Sequence, residues 1–373
     1  MYLIRVHNFL LWSKIKVRKR CFYVLDTKIW DVREYTYNLN AYPQFDEIIR
    51  MYREGQRIVL PTETVYGLGG NALNEETVKG IYEAKGRPSD NPLIIHIYDT
   101  EQLDDFVTSI SETTLKLMEA FWPGPITFIL PLKKGFLCER VTGGLNSVAV
   151  RMPSHPVARY ILKKANIPIA APSANISGRP SPTTFEHAYE DLNGRVEGII
   201  QSTSSDAGLE STVIDCTSFP YRIARPGTIT RQMLNEILPN SIDDTVIDMT
   251  EKPIAPGMKY KHYAPDTPLK LIEHIGNDIP LDAYNKWDEV AFIVPESLSQ
   301  YIPKDAKVII LSQDEFDIKT ANRNLYAALH KLDELKEVSN AYIYGYPVNE
   351  ETEALRNRMM KAVNHQVVKD EFL

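Results

Sequence analysis

The chain reads as two stretches in which short β-branched runs alternate with helical periodicities, separated by a stretch that has neither. Ile48, Ile49, Met51 and Tyr52 recur at near-helical spacing, and Gly55 stands where such a helix should stop. Strands are expected at 57–60, 93–98, 128–132, 147–151, 168–171, 198–201, 212–216 and 221–225. Helical spacing falls at 75–85, 112–121, 155–165, 183–192 and 230–238. This mixture indicates an α/β or α+β domain over residues 45–238, with both parallel and antiparallel strand neighbours.

Residues 239–268 lose periodicity and gain Pro239, Pro253, Pro256, Gly257, Pro265 and Pro268, as a linker does. It is not a bland spacer, because Met258, Lys259, Tyr260, Lys261, His262 and Tyr263 crowd aromatic and cationic groups together. Beyond it, strands at 269–273, 289–294, 307–311 and 341–346 alternate with helices at 319–335 and 352–364. That pattern predicts a small Rossmann-like parallel α/β domain over 269–373, although no GxGxxG turn supports a dinucleotide site there.

Composition agrees with two folded domains: 373 residues, 43% hydrophobic and 24% charged. There is no run of 18 apolar residues to span a membrane. Cys21, Cys138 and Cys216 form no CxxC pair, so no zinc or disulfide framework is indicated, and a reducing cytoplasm fits. A net charge of −7 argues against a bulk nucleic-acid binder. The first 22 residues depart from this, carrying +6 and no acid. They lack a signal-peptide pattern, and residues 1–44 read as an N-terminal extension, with the working chain beginning near Asp26.

Candidate chemistry gathers in the first domain. Pro61 to Gly70 packs hydroxyls, the Glu63 carboxylate and three glycines into a turn that would let donors approach a small polar ligand. A tight loop whose hydroxyls cap the next helix explains the same residues. Lys85 and Arg87 flank Gly86 at the end of a helix, with Asn91 and His96 beyond. The two cations suit phosphate oxygens, but taken alone the motif reads first as a solvated helix C-cap. His96 also reads as an ordinary half-buried sheet histidine. Ser173 and Asn175 follow an apolar strand, at the strand end where α/β sheets bind ligands, and a plain turn would look alike. Glu210-Ser211-Thr212-Val213 and Arg225-Pro226-Gly227 add a hydroxyl and a guanidinium. P-loop, GxSxG, HExxH and Cys/His metal spacings do not occur.

In this order the segments closely resemble the YrdC/Sua5 family, specifically its two-domain Sua5-type threonylcarbamoyl-AMP synthases. The resemblance rests on Pro61 to Gly70, Lys85-Gly86-Arg87-Pro88 with Asn91-Pro92-Leu93, Trp122-Pro123-Gly124-Pro125, Val148-Ala149-Val150-Arg151 and Ala171-Pro172-Ser173-Ala174-Asn175. Glu210 to Val213, Arg225-Pro226-Gly227 and Pro256 to Pro265 complete it. It implies a YrdC-like mixed-sheet catalytic domain over 45–238, a linker and active-site lid over 239–268, and a Sua5-type C-terminal domain. It also implies a reaction: L-threonine, bicarbonate and ATP give L-threonylcarbamoyladenylate and pyrophosphate, for N6-threonylcarbamoyladenosine (t6A37) in tRNA.

By the same resemblance Thr64, His96, Arg151, Ser173 and Ser211 hold threonine. Arg87, Asn91, Ser147, Asn175, Thr183, Arg225 and Tyr263 hold ATP, with Lys85 and Arg87 as the catalytic cations. Mg²⁺ would arrive with ATP, with no protein metal site. The product would pass to a tRNA threonylcarbamoyl transferase complex, a direct tRNA contact being a further implied partner. Gln201 to Gly208 departs from the Asp-Gly-Gly-like turn common in the family, which leaves that loop's course open. A double-stranded-RNA or ribosome-binding module of the same fold is the alternative. A hydrogenase-maturation carbamoyl transferase would need zinc-finger cysteines, which the chain lacks.

Overall fold

The structure, a computed structural model, describes residues 25–243, 263–275 and 286–368. Residues 1–24 and most of the expected lid, including Tyr260 and His262, lie outside the described residues.

The first domain's strands are β1 (Lys28–Asp31), β2 (Ile58–Leu60), β3 (Gly67–Asn71), β4 (Ile94–His96), β5 (Ile126–Pro131), β6 (Ser147–Arg151), β7 (Ile169–Ala170), β8 (Gly198–Gln201), β9 (Thr212–Asp215) and β10 (Arg222–Arg225). They form one mixed sheet in the order β1-β8-β2-β3-β7-β4-β6-β5-β9-β10. Parallel pairs such as β4/β6 and β5/β9 alternate with antiparallel pairs such as β3/β7 and β5/β6. Helices α1 (Phe45–Arg53), α2 (Glu75–Lys85), α3 (Glu112–Phe121), α4 (Pro156–Ala165), α5 (Phe185–Leu192) and α6 (Arg231–Ile237) pack against it. Two large apolar clusters result, one around Tyr66, Ile81, Leu117 and Phe128 and another around Trp30, Tyr52, Ile161 and Ile169, with a small third one of Ile94, Ile129, Ala149 and Val213.

Three expectations are corrected. The domain begins upstream of residue 45, because β1 pairs in parallel with β8 and Trp30 is buried against Gly198. Only Trp30 in that edge strand points inward, so its sequence shows no alternation. The other boundary moves past 238, since Tyr221 exchanges backbone hydrogen bonds with Ser241 and Asp243 at 2.7 Å each. Finally, Pro61 to Gly70 is not one turn, for Gly67–Asn71 is strand β3. A Cβ on Gly70 would meet Thr77 Cγ2 at 2.5 Å, and one on Gly69 would meet Leu60 Cδ2 at 2.9 Å. Those two glycines serve close packing of the sheet against its neighbours, not ligand approach.

The second domain carries β11 (Leu269–Ile272), β12 (Val290–Val294), β13 (Lys307–Ile310), β14 (Asn340–Tyr344) and β15 (Val367–Val368). Every pair in its β13-β12-β14-β11-β15 sheet is parallel. Helices α7 (Ile318–Glu334) and α8 (Glu353–Ala362) cover one face. Their cluster also takes in Val65, Leu209 and Tyr263, so the second domain's core continues into the loops of the first. The Gln201–Gly208 loop is fixed by this contact: Gly208 has φ +72°, and a Cβ there would sit 2.2 Å from Arg323 Cα on α7. Only glycine satisfies both demands.

Across the same interface His187 of α5 stacks on His330 of α7, with ring centroids 4.0 Å apart. Burial, and then the neighbouring His187, pushes His330 down to about 3, and burial lowers His187 too. The unfolded chain therefore takes up more protons, so stability is present above about pH 6.5 and is lost as pH falls. His330→Phe should remove roughly 1–2 kcal/mol of the difference in unfolding free energy between pH 7 and pH 5. Denaturant titrations of both proteins at the two pH values measure it; an identical pH dependence would contradict the assignment.

Candidate active site

A cleft opens where the loops after β2 and β7 meet the end of α2, the β4 and β6 strand ends, and the segment before β9. Mixed pairing in the sheet is what brings these together. His96 and Arg151 are register partners in the β4/β6 pair, and Ser173 bridges Gly67 at the start of β3.

One side of the cleft is neutral hydroxyls around a guanidinium. Arg151, buried, donates from Nη1 to Thr64 Oγ1 at 2.7 Å and lies 2.6 Å through Nη2 from Glu63 Oε1. Burial pushes the Glu63 carboxyl up, but the Arg151 charge outweighs it and leaves the group below its ordinary value. Thr62 and Thr64 hydroxyls are 3.0 Å apart, and Thr127 and Ser211 hydroxyls 2.7 Å apart. His96 faces the Ile94 carbonyl through Nδ1 at 3.2 Å. Burial, and then Arg151, pushes it down to about 3, so the ring is neutral at ordinary pH.

The other side is cationic. Gly86, at φ +61°, ends α2 in a left-handed cap whose amide donates to the Glu83 carbonyl, and Arg87 N returns to Tyr82 O at 2.9 Å. The helix-cap reading of this motif is therefore right about the backbone and wrong about the side chains. Lys85 is 1% exposed, and its ammonium donates to the Ser173 carbonyl and, at 2.5 Å, to the Asn175 carbonyl. Its pKa is held well below the ordinary lysine value by burial and then by Arg87. Arg87 donates to Pro92 O at 3.0 Å, and burial lowers it to about 10. Arg225 donates from Nε and Nη2 to the Ser211 carbonyl at 3.1 and 3.0 Å.

Thr64, Lys85, Arg87, His96, Arg151, Ser173, Asn175, Ser211, Arg225 and Tyr263 thus line a single cavity. Asn91, Ser147 and Thr183 do not. Asn91 is buried behind Arg87 and accepts from its Nε at 3.4 Å through the backbone carbonyl. Ser147 starts β6, four residues from Arg151, and pairs with Pro131. Thr183 is buried beneath the 201–208 loop, its carbonyl accepting from Ser205 N at 2.9 Å. Asn175 reaches the cavity, yet its amide hydrogens are spent on the Ile176 and Arg179 carbonyls at 2.8 and 3.0 Å. Its side chain builds the loop that presents two carbonyls to Lys85.

Tyr263 closes the cleft with φ +66°, a conformation rare for a non-glycine residue, and its ring lies 5.4 Å from that of Tyr326 on α7. The neighbouring Ala264 amide donates to Gly178 O at 3.0 Å. Ser181, which no motif marks, donates to Glu210 Oε1 at 2.6 Å in the cavity wall, so the first residue of the Glu210–Val213 motif contributes its carboxylate there as well. Ser181 carries no local signal, since its partner lies far along the chain. No group of three metal-ligating acids, histidines or cysteines occurs among the described residues. Nor is any described helix long and apolar enough to cross a membrane.

Comparison with known proteins gives this cleft a family. Residues 50–227 match a family model covering Sua5, YciO and YrdC, described as telomere recombination, and residues 229–363 match the threonylcarbamoyl-AMP synthase C-terminal domain. The chain is 42% identical to the threonylcarbamoyl-AMP synthase of Bacillus subtilis, covering 88% of this chain and 95% of the relative. Identity to the synthase of Pyrococcus abyssi is 38%, over 85% and 93% of the two chains. The crystal structure of P. abyssi Sua5 complexed with L-threonine superposes with a TM-score of 0.80, covering 92% of this chain and 99% of that one. The two family models together span residues 50–227 and 229–363, the likeness in sequence and fold runs over most of both chains, and the chain belongs to the two-domain Sua5-type threonylcarbamoyl-AMP synthases.

Proposed function

We propose that this cleft joins L-threonine, bicarbonate and ATP into L-threonylcarbamoyladenylate. The observation that carries the reading is the division of one cavity into a hydroxyl-lined side around Arg151 and a cationic side of Lys85, Arg87 and Arg225. Threonine fits the first side. Its carboxylate pairs with Arg151, and its hydroxyl suits Thr64, Ser211 and the neutral His96 ring. The triphosphate fits the second, where desolvated cations act on phosphate charge at full strength.

The threonine amine attacks the bicarbonate carbon, and loss of water leaves a carbamate. A carbamate oxygen then attacks the α-phosphorus, forming the new P–O bond as the bond to pyrophosphate breaks. Neither step calls for a strong base, in keeping with a site whose histidine is neutral. Glu210 in the cavity wall and Glu63 behind Arg151 are each engaged by an arginine. These residues suit Mg²⁺ brought in by the nucleotide as MgATP, not held by the protein. An enclosed cleft of this chemistry favours the enzyme over the RNA-binding alternative. The adenylate would serve a cytoplasmic transferase complex acting on tRNA.

Pyrophosphate release measured with threonine, bicarbonate and ATP each omitted in turn tests the reading. Release should require all three and should fall with serine or glycine, which lose methyl or hydroxyl contacts. Equal release without any amino acid would refute it.

A further inference from the structure

The cavity wall is partly held from the second domain. Glu210 receives Arg358 Nε of α8 at 2.9 Å and the Tyr326 hydroxyl of α7 at 2.9 and 3.0 Å. Arg358 also donates from Nη1 to the Pro226 carbonyl at 2.7 Å, and its guanidinium carbon lies 5.9 Å from the Tyr263 ring centroid. Glu210 precedes Ser211 and Pro226 follows Arg225. One fully buried guanidinium therefore grips the backbone segments of two cavity residues that are themselves tied by the Arg225 to Ser211 hydrogen bonds.

Such a pair is costly to bury, and well-packed apolar side chains of the same volume give comparable stability. What the directed hydrogen bonds of this pair add is a link between two separate segments, one through Glu210 and one through the Pro226 carbonyl. Burial would raise the Glu210 carboxyl, yet Arg358 and then Arg225 bring it down to about 2, so the pair is ionised throughout the physiological range. Gly208, with no room for a Cβ against α7, shows how closely the second domain presses on the same loop.

We infer that Arg358 is a positioning residue of the cleft, setting Ser211 and Arg225 from the C-terminal domain so that the site is complete only while that domain is docked. The inference rests on the synthase reading above. It makes the second domain part of the catalytic apparatus although its side chains need not touch substrate.

The test uses the full chain with Arg358→Met, Arg358→Lys, and the double variant Arg358→Met with Glu210→Gln. The double variant removes both charges, so no unpaired carboxylate is left to unfold it. Expected in folded protein is a rise of at least tenfold in KM for ATP in Arg358→Met and in the double variant, with partial recovery in Arg358→Lys. A merely structural arginine would lower the fraction of active enzyme and leave KM unchanged, and that result in the folded double variant overturns the inference. Hydrogen exchange without substrate provides a second readout: the amides of 210–213, Arg225, Gly227 and Thr228 should exchange at least tenfold faster in the double variant. Unchanged exchange there also overturns it, even if the wild-type protein releases no pyrophosphate and the synthase reading itself fails.

Discussion

Replacing Arg151 by methionine should lower kcat/KM for threonine at least about a hundredfold, or roughly 2.8 kcal/mol at 1.4 kcal/mol per factor of ten. The guanidinium is buried at the end of β6, and its contacts to Thr64, Glu63 and the Gly124 carbonyl fix its plane. A substrate carboxylate meeting it gains a charge-assisted bond in a site that excludes most water, where such bonds contribute about 1.5–3 kcal/mol. The single variant also strands the Glu63 carboxylate, which costs about 3–5 kcal/mol of stability. Arg151→Met combined with Glu63→Gln separates the effects, because neither remaining group is charged. That protein should fold and still show the threonine defect in steady-state kinetics. A wild-type threonine KM in the folded double variant would remove Arg151 from substrate binding.

Lys85→Met should reduce kcat/KM for ATP by about a hundredfold to a thousandfold, the range seen when one preorganised donor to developing charge is removed. The ammonium's described contacts are mainly the Ser173 and Asn175 backbone carbonyls, so its charge stays available to an arriving phosphate. The sign of its pH dependence follows. Burial and Arg87 hold its pKa well below the ordinary lysine value, so free enzyme loses this proton as pH rises through that lowered pKa, earlier than an ordinary lysine would. A bound triphosphate favours the charged form, so kcat/KM for ATP should fall with rising pH, and this limb should be absent in Lys85→Met. ATP kinetics unchanged in the folded variant, or the same alkaline limb in both proteins, would show that Lys85 only ties the 173–175 loop to α2.

Much of this architecture was legible wherever local chemistry and tertiary context agree. The expected helix over 75–85 coincides with α2 because Asn74 caps one end, Asn74 Oδ1 accepting from Thr77 N, and Gly86 turns the other. Strand β6 was placed to the residue by its β-branched alternation. β1 was missed because an edge strand with one inward side chain has no period to read. β3 was missed because Gly67, Gly69 and Gly70 mimic a turn while serving a crowded sheet interior.

The sequence by itself determined which side chains are available, their order along the chain, and the two-domain alternation of strands and helices, since these depend on residue type and spacing. Tertiary structure decided what each group faces. It turned Lys85 and Arg87 inward from a helix end that would otherwise have been solvated, and it left Asn91, Ser147 and Thr183 off the cavity wall. It also paired Glu63 with Arg151 and Glu210 with Arg358. Those pairings span 88 and 148 residues, distances over which no local propensity acts. Only the folding of a mixed sheet, and the docking of a second domain against its loops, can bring such charges out of water together.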